Sequence, residues 1–124
     1  RTFNFDIKPT ALNFIDIEDM GNCAIEGTNE DNLYYILVAR TSMGTTSVYT
    51  CGPFNPDLEL LPSSFKCTLS RFDYSDSKLE KTINMFLNDK FAKITNAREI
   101  TFEEAVDEFV DLKNYLSRYG QGVY

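Results

Sequence analysis

LYYILVAR, at residues 33–40, is an almost continuous run of aromatic, aliphatic and β-branched side chains. Its length and composition are typical of a central strand of a sheet. A glycine-containing loop over residues 41–46 follows, and a second strand-like run occupies residues 47–51. This spacing predicts that the two runs pair as antiparallel neighbours.

Three further segments have the length and apolar pattern of strands: residues 2–7, 11–17 and 65–74. The polar run at residues 26–32 indicates a loop. Residues 52–64 contain three prolines and predict a rigid, irregular connection. Residues 91–95 are a candidate for one more short strand. Together these segments predict an antiparallel sheet of about five strands.

Two capping boxes predict the starts of two helices, at residues 77–80 and 101–104. Apolar residues at helical spacing follow each box, as far as Asn88 in the first helix and towards Gly120 in the second. The sequence therefore predicts a single α+β domain over residues 1–124. We expect both C-terminal amphipathic helices to pack on one face of the sheet.

The chain carries a net charge of −7, from 12 basic and 19 acidic side chains. This charge repels phosphate backbones and anionic lipid head groups, so we expect direct binding neither to nucleic acid nor to a membrane. No apolar stretch has the length of a membrane span, and the first residues do not have the pattern of a signal peptide.

The sequence contains no histidine. Without histidine the Ser-His-Asp and Cys-His arrangements and the usual zinc sites are excluded. Glycine-rich phosphate-binding loops are absent as well. We therefore expect a protein that is not an enzyme and that uses neither a cofactor nor a metal.

The cysteines Cys23, Cys51 and Cys67 are widely spaced and form no C-x-x-C pair. In a reducing compartment they would be small, buried, apolar residues, which is the interpretation that we favour. In a secreted protein Cys51 and Cys67, both in strand-like segments, could pair and leave Cys23 free.

Negative charge is concentrated in the first half of the chain, since residues 1–62 contain nine acidic but only three basic side chains. This asymmetry predicts a docking face for a basic partner protein, and the alternative is an ordinary solvated surface. An aromatic ring on the rigid loop at residues 52–56 would extend the face, unless the ring folds under to cover the sheet edge. The partner-binding candidates are Asp16, Glu18, Asp19, Glu30, Asp31 and Phe54.

A second candidate site consists of side chains that suit an anionic, aromatic ligand such as a nucleotide. Its members are Arg40, Arg71, Arg98, Tyr34, Tyr74 and Asn96. This hypothesis requires the fold to bring them together. Surface ion pairing is the alternative explanation for each arginine.

In size and composition the chain resembles small phage and viral anti-defence proteins, such as anti-CRISPR inhibitors and Thoeris anti-defence proteins. The shared features are a short, acidic, Asn- and Phe-rich chain with one α+β domain and no catalytic motif. The resemblance implies a protein that occupies a partner's binding face or sequesters a nucleotide signal, often as an oligomer. It involves no shared motif, so it assigns no site residue.

The sequence thus favours a non-enzymatic binding or inhibitor protein that docks to a protein partner through its acidic N-terminal half. One alternative is an oligomeric binder that sequesters a nucleotide-type small molecule. Another is a structural subunit of a larger assembly. We expect a cytoplasmic protein, located in the host cytoplasm if it is viral.

Overall fold

The computed structural model describes residues 2–4, 14–16, 23–42, 44–61, 66–73 and 76–118. The strands are β1 (Thr2–Asn4), β2 (Phe14–Asp16), β3 (Cys23–Asn29), β4 (Tyr34–Ser42), β5 (Thr45–Phe54), β6 (Lys66–Asp73) and β7 (Ile94–Ile100). The helices are α1 (Asp76–Leu87), α2 (Phe102–Glu108) and α3 (Val110–Arg118). No helix among these residues is both long enough and apolar enough to cross a membrane.

Five strands form one antiparallel sheet in the order β6-β5-β4-β3-β7. The apolar run of β4 lies at its centre, and its neighbour β5 is the strand predicted from the hairpin spacing. In this pair Val38 stands opposite Tyr49. β1 and β2 form a separate two-stranded sheet, in which Phe3 stands opposite Ile15. The α+β class and the five-stranded antiparallel sheet are therefore confirmed.

The membership of the sheet differs from the prediction. The predicted strands at residues 2–7 and 11–17 correspond in part to β1 and β2, which pair with each other in the separate sheet, and the other residues of these two segments lie outside the described part. Their places are taken by β3, which overlaps the predicted loop at residues 26–32, and by β7, which begins near the end of the predicted strand at 91–95. β3 was not predicted because it contains the polar Glu26 and Gly27, which are unusual in a buried strand. Contacts with β7 make these two residues compatible with the sheet. Glu26 pairs with Arg98, and Ile94 fills the space above Gly27.

The helices cover both faces of the sheet rather than one. Leu79, Ile83 and Leu87 of α1 pack in one core with Ile25 and Leu37. On the opposite face α2 and α3 form a second core with sheet residues, which contains Ile36, Val38, Tyr49, Phe54, Phe109, Leu112 and Leu116. Successive residues of a strand point to opposite faces, and β4 is apolar at both sets of positions. Each face of this strand therefore needs a cover, which gives three layers.

The ends of the helices agree only in part with the prediction. α1 begins at Asp76, so Ser77 lies inside its first turn instead of capping it. The second capping box is confirmed, because the Thr101 hydroxyl accepts a hydrogen bond from the Glu104 N–H at 3.0 Å and the Glu104 carboxylate accepts one from the Thr101 N–H at 3.2 Å. The predicted last helix is divided into α2 and α3 at the buried Phe109, whose φ of −103° and ψ of 83° are not helical. Gly120 lies outside the described residues.

The first three residues of the irregular connection predicted at residues 52–64 belong instead to a strand. β5 continues to Phe54 across a cis peptide bond between Gly52 and Pro53. The turn that follows is built by Asn55, whose side-chain oxygen accepts hydrogen bonds from the N–H groups of Asp57 at 2.9 Å and Glu59 at 3.0 Å.

Candidate functional site

An open groove lies between α1 and the half of the sheet formed by β5 and β6, and we call it the α1 groove. Its volume is about 430 Å³. The floor contains the hydroxyl side chains Thr50, Thr68 and Ser70, and the walls include Met85, Phe86 and Phe91. Concave sites with apolar walls and a few polar groups are the usual form of binding sites in proteins.

The groove exists because α1 covers only part of its face of the sheet. The buried side chains of α1 share a core with residues of β3, β4 and β7, while β5 contributes only Val48. The floor over β5 and β6 carries Thr50, whose hydroxyl is hydrogen-bonded to that of Thr68. The paired hydroxyls satisfy each other without a covering helix, so this part of the sheet does not require an apolar cover.

Two large apolar side chains at the groove are exposed to solvent. Met85 on α1 is 66% exposed, and Phe91 in the turn after α1 is 74% exposed. The Asp89 carboxylate holds this turn, since it accepts hydrogen bonds from the N–H groups of Phe91 at 2.7 Å and Ala92 at 3.2 Å. The backbone that carries the Phe91 ring is therefore held in place at the groove instead of following a loose loop.

One end of the groove is acidic. Burial raises the pKa of the Tyr35 phenol, and the carboxylates of Asp89 and Asp31 raise it further. The two carboxylates come from different turns, which are joined by Asn29. The Asn29 amide donates to the Ala92 carbonyl at 3.2 Å, and its side-chain oxygen accepts from the Asp31 N–H at 3.0 Å. Negative charge and apolar surface thus meet at the same site.

The predicted acidic docking set contributes only in part to this groove. Glu30 and Asp31 are exposed in the turn between β3 and β4, and Asp31 lies near the acidic end. Asp16 is the last residue of β2, whereas Glu18 and Asp19 lie outside the described residues. The prediction of a surface role for Phe54 is wrong, because its side chain is fully buried and packs edge-on against Phe109 with ring centroids 4.8 Å apart. Its position on β5 directs it beneath the C-terminal helices.

The predicted arginine and tyrosine site is divided by the strand register. Ser47 of β5 stands opposite Arg40 on one side and Arg71 on the other, so these two arginines share one face. Arg98 instead donates to the Glu26 carboxylate at 3.0 Å. At the other end of the sheet, Tyr34 and Asn96 both stand opposite Thr28. Tyr74 lies outside the described residues, and the described members do not form one pocket.

The interpretation that all three cysteines are reduced is wrong, and the alternative with a disulfide and a free Cys23 applies. Cys51 is disulfide-bonded and stands opposite Cys67 in the register of β5 and β6, while Cys23 is free. Burial raises the pKa of the Cys23 thiol to about 12, the Glu99 charge adds to the rise, and a backbone hydrogen bond involving Ala39 opposes it. Since the thiolate is the reactive form, Cys23 is inert in the folded protein.

Met85 and Phe91 were not identified from the sequence as site residues. Met85 falls outside the apolar stripe of α1, which contains Leu79, Ile83 and Leu87. A large apolar residue on the polar side of an amphipathic helix is the signal that could have identified it. Phe91 was assigned to a strand and lies in a turn instead.

The part of the chain that the structure describes contains no cluster of three or more Cys, Asp or Glu side chains able to hold a metal ion. Comparison with protein-family models, curated proteins and solved structures found no match.

Proposed function

We propose that the protein is a non-enzymatic binding protein that docks, in the α1 groove, a segment of a partner protein with basic side chains next to a large apolar side chain. The observation that carries the proposal is the exposed pair Met85 and Phe91 beside a groove whose end bears Asp31 and Asp89.

The apolar part of the groove supplies binding energy. Complete burial of a side chain such as Met85 or Phe91 contributes about 1.5–3 kcal/mol. Methionine and aromatic residues are enriched at interfaces, where methionine adapts to the shape of its partner. A groove of about 430 Å³ is within the usual size range of ligand sites, which supports insertion of a large partner side chain.

The charge of the groove favours a cationic partner over a phosphorylated one. Asp31 and Asp89 lie at one end, in a protein whose net charge is −7. Complementary charge accelerates encounter and selects the partner, whereas an anionic ligand would be repelled. This supports a protein partner at the groove and disfavours a nucleotide there.

The proposal keeps the class of function expected from the sequence but moves the docking surface. Of the predicted acidic docking residues, the proposal uses only Asp31, on the turn between β3 and β4. The apolar rim comes from α1 and the following turn. A protein that occupies a partner's surface in this way would act as an inhibitor, which is the mode of action that the resemblance to anti-defence proteins implies.

The proposal can be tested by selecting random peptides displayed on phage against the immobilised protein. We expect enriched peptides to combine Lys or Arg with a large apolar residue. Synthetic versions should bind the wild type, lose binding to the double variant Met85→Ser/Phe91→Ser, and bind more weakly to Asp31→Asn/Asp89→Asn. Val110→Ser is the matched control, because Val110 is 59% exposed on α3, which packs on the opposite face of the sheet.

Two outcomes would contradict the proposal. One is enrichment of peptides without basic residues. The other is equal binding of the enriched peptides to wild type and to the Met85→Ser/Phe91→Ser variant, with circular dichroism showing that the variant is folded.

A further inference from the structure

We propose that the partner segment binds in the α1 groove as an extended strand, paired with the outer edge of β6. This inference rests on the docking function proposed above, and it names the conformation and the position of the bound segment. The occupant is a basic peptide in the extended conformation, which would add a strand to the five-stranded sheet.

β6 is an edge strand, and of the described strands only β5 pairs with it. Thr68, Ser70 and Arg71 are exposed, and Leu69 is half-buried, so the strand is open to solvent on both of its faces. Among the described residues, no backbone hydrogen bond from a turn or a loop reaches β6. Alternate residues of an edge strand direct their N–H and C=O groups away from the neighbouring strand, where a further strand can pair with them.

The same strand forms part of the groove floor. Thr68 and Ser70 line the groove, whereas Leu69 between them packs against the core on the opposite face of the sheet. A strand added to β6 would follow this alternation, so every second side chain of the bound segment would point into the groove. One segment can therefore pair its backbone with β6 and insert side chains into the groove at the same time.

The floor of the groove fits an extended segment better than a helix. An amphipathic helix binds by placing its apolar face on an apolar surface. The floor here contains hydroxyl side chains, and the hydroxyls of Thr50 and Thr68 are hydrogen-bonded to each other. An extended segment instead gains affinity from main-chain hydrogen bonds along the sheet edge and needs only its alternate side chains in the groove.

The charge of the groove selects the side chains that the added strand inserts. Asp89 lines the groove together with Thr68 and Ser70, and Met85 and Phe91 form part of its walls. Neighbouring strands of a sheet lie about 4.8 Å apart, so a side chain of the added strand must cross β6 to approach Asp89. Lys and Arg combine a long side chain with the complementary positive charge.

An N-methyl scan of a peptide selected on the α1 groove tests this geometry. Each variant peptide carries a methyl group on one backbone nitrogen, and its affinity for the full chain is measured by calorimetry. We expect methylation at every second position to weaken binding by about tenfold or more, because it removes a main-chain hydrogen bond and places a methyl group against β6. Methylation at the intervening positions is the matched control and should change the affinity by less than about twofold.

NMR of the isotope-labelled chain in complex with the same peptide locates the pairing. We expect nuclear Overhauser contacts between the peptide backbone and the backbone of residues 68–71. The other edge strand, β7, is the internal control and should show none, because no residue of β7 lines the groove. Peptide binding without a two-residue periodicity in the scan, or without contacts to β6, would overturn this inference and leave the docking function in place. Failure to select basic peptides would contradict the docking function and this inference together.

Discussion

The side chain of Asn29 donates a hydrogen bond to the carbonyl of Ala92 at 3.2 Å, and so joins the turn between β3 and β4 to the turn after α1. The same side chain accepts hydrogen bonds from the N–H groups of Asp31 and Leu33, both at 3.0 Å. Asn29 does not itself line the groove, but through these hydrogen bonds it positions both acidic turns.

Replacement of this asparagine tests its positioning role. Asn29→Ala removes three hydrogen bonds, two of them partly buried and one exposed, so we expect a loss of about 1–3 kcal/mol in the free energy of unfolding, measured by urea denaturation. Binding of peptides selected on the α1 groove should weaken as well. Asn114→Ala, at an exposed position of α3, is the control and should change neither quantity. Unchanged peptide affinity in Asn29→Ala would show that the two turns hold their positions without it.

Gly52 is predicted to tolerate no side chain, because a Cβ atom there would overlap the Tyr35 ring. Gly52→Ala should lower the free energy of unfolding by about 1–3 kcal/mol, as overpacking of a well-packed site usually does. The same substitution should cost much less in a Tyr35→Ala background, where the ring is absent. This double-mutant cycle is measured by urea denaturation, and an equal cost in both backgrounds would assign the effect to the backbone instead.

Cys23 predicts a specific loss of stability at high pH. Its pKa is about 12 in the folded protein and 9.0 for an unperturbed thiol, so the unfolded state loses this proton first as pH rises. The contribution of the protonated Cys23 thiol to the free energy of unfolding is fully present below pH 9. It declines by about 1.4 kcal/mol per pH unit between pH 9 and pH 12.

The measurement is the difference in unfolding free energy between wild type and Cys23→Ala as a function of pH, which cancels the titration of lysines and tyrosines. We expect this difference to be constant below pH 9. Above pH 9 the wild type should lose stability relative to the variant. A difference that does not change with pH would mean that the thiol is accessible to hydroxide in the folded state.

Phe109 separates α2 from α3 and packs against Phe54 in the core between the sheet and these helices. Phe109→Ala should lower the free energy of unfolding by about 3–5 kcal/mol, since it leaves a cavity at a fully buried position. Phe109→Leu, which keeps most of the volume, should cost less than half as much. Thermal denaturation, monitored by circular dichroism, distinguishes these results. Similar losses in the free energy of unfolding for both variants would indicate that the ring geometry, rather than the side-chain volume, determines the stability.

Elements with a strong local pattern were predictable from the sequence. The apolar run of β4 and the hairpin spacing to β5 identified the centre of the sheet. The Thr101–Glu104 capping box identified the start of α2, because both of its hydrogen bonds involve residues three positions apart. The same apolar run contained the evidence for two covered faces, although both helices were assigned to one face.

Elements whose stability comes from distant residues were not predictable in this way. The second half of β3 has the polar composition of a loop. It is stabilised as a strand by contacts such as the one between Glu26 and Arg98, which lie 72 positions apart in the sequence. The division of the arginine set likewise depends on strand register, which places Arg40 and Arg71 on either side of Ser47 and sends Arg98 to a carboxylate.

By itself the sequence determined the class of the fold, the central strand and the second capping box, because periodicity and local hydrogen bonds act over a few residues. Only the tertiary structure decided which strands join the sheet, that Phe54 is buried, and that α1 leaves the β5–β6 half of one face open. These features depend on which distant segments meet, and the free energy of those contacts is not encoded in any short stretch of the chain.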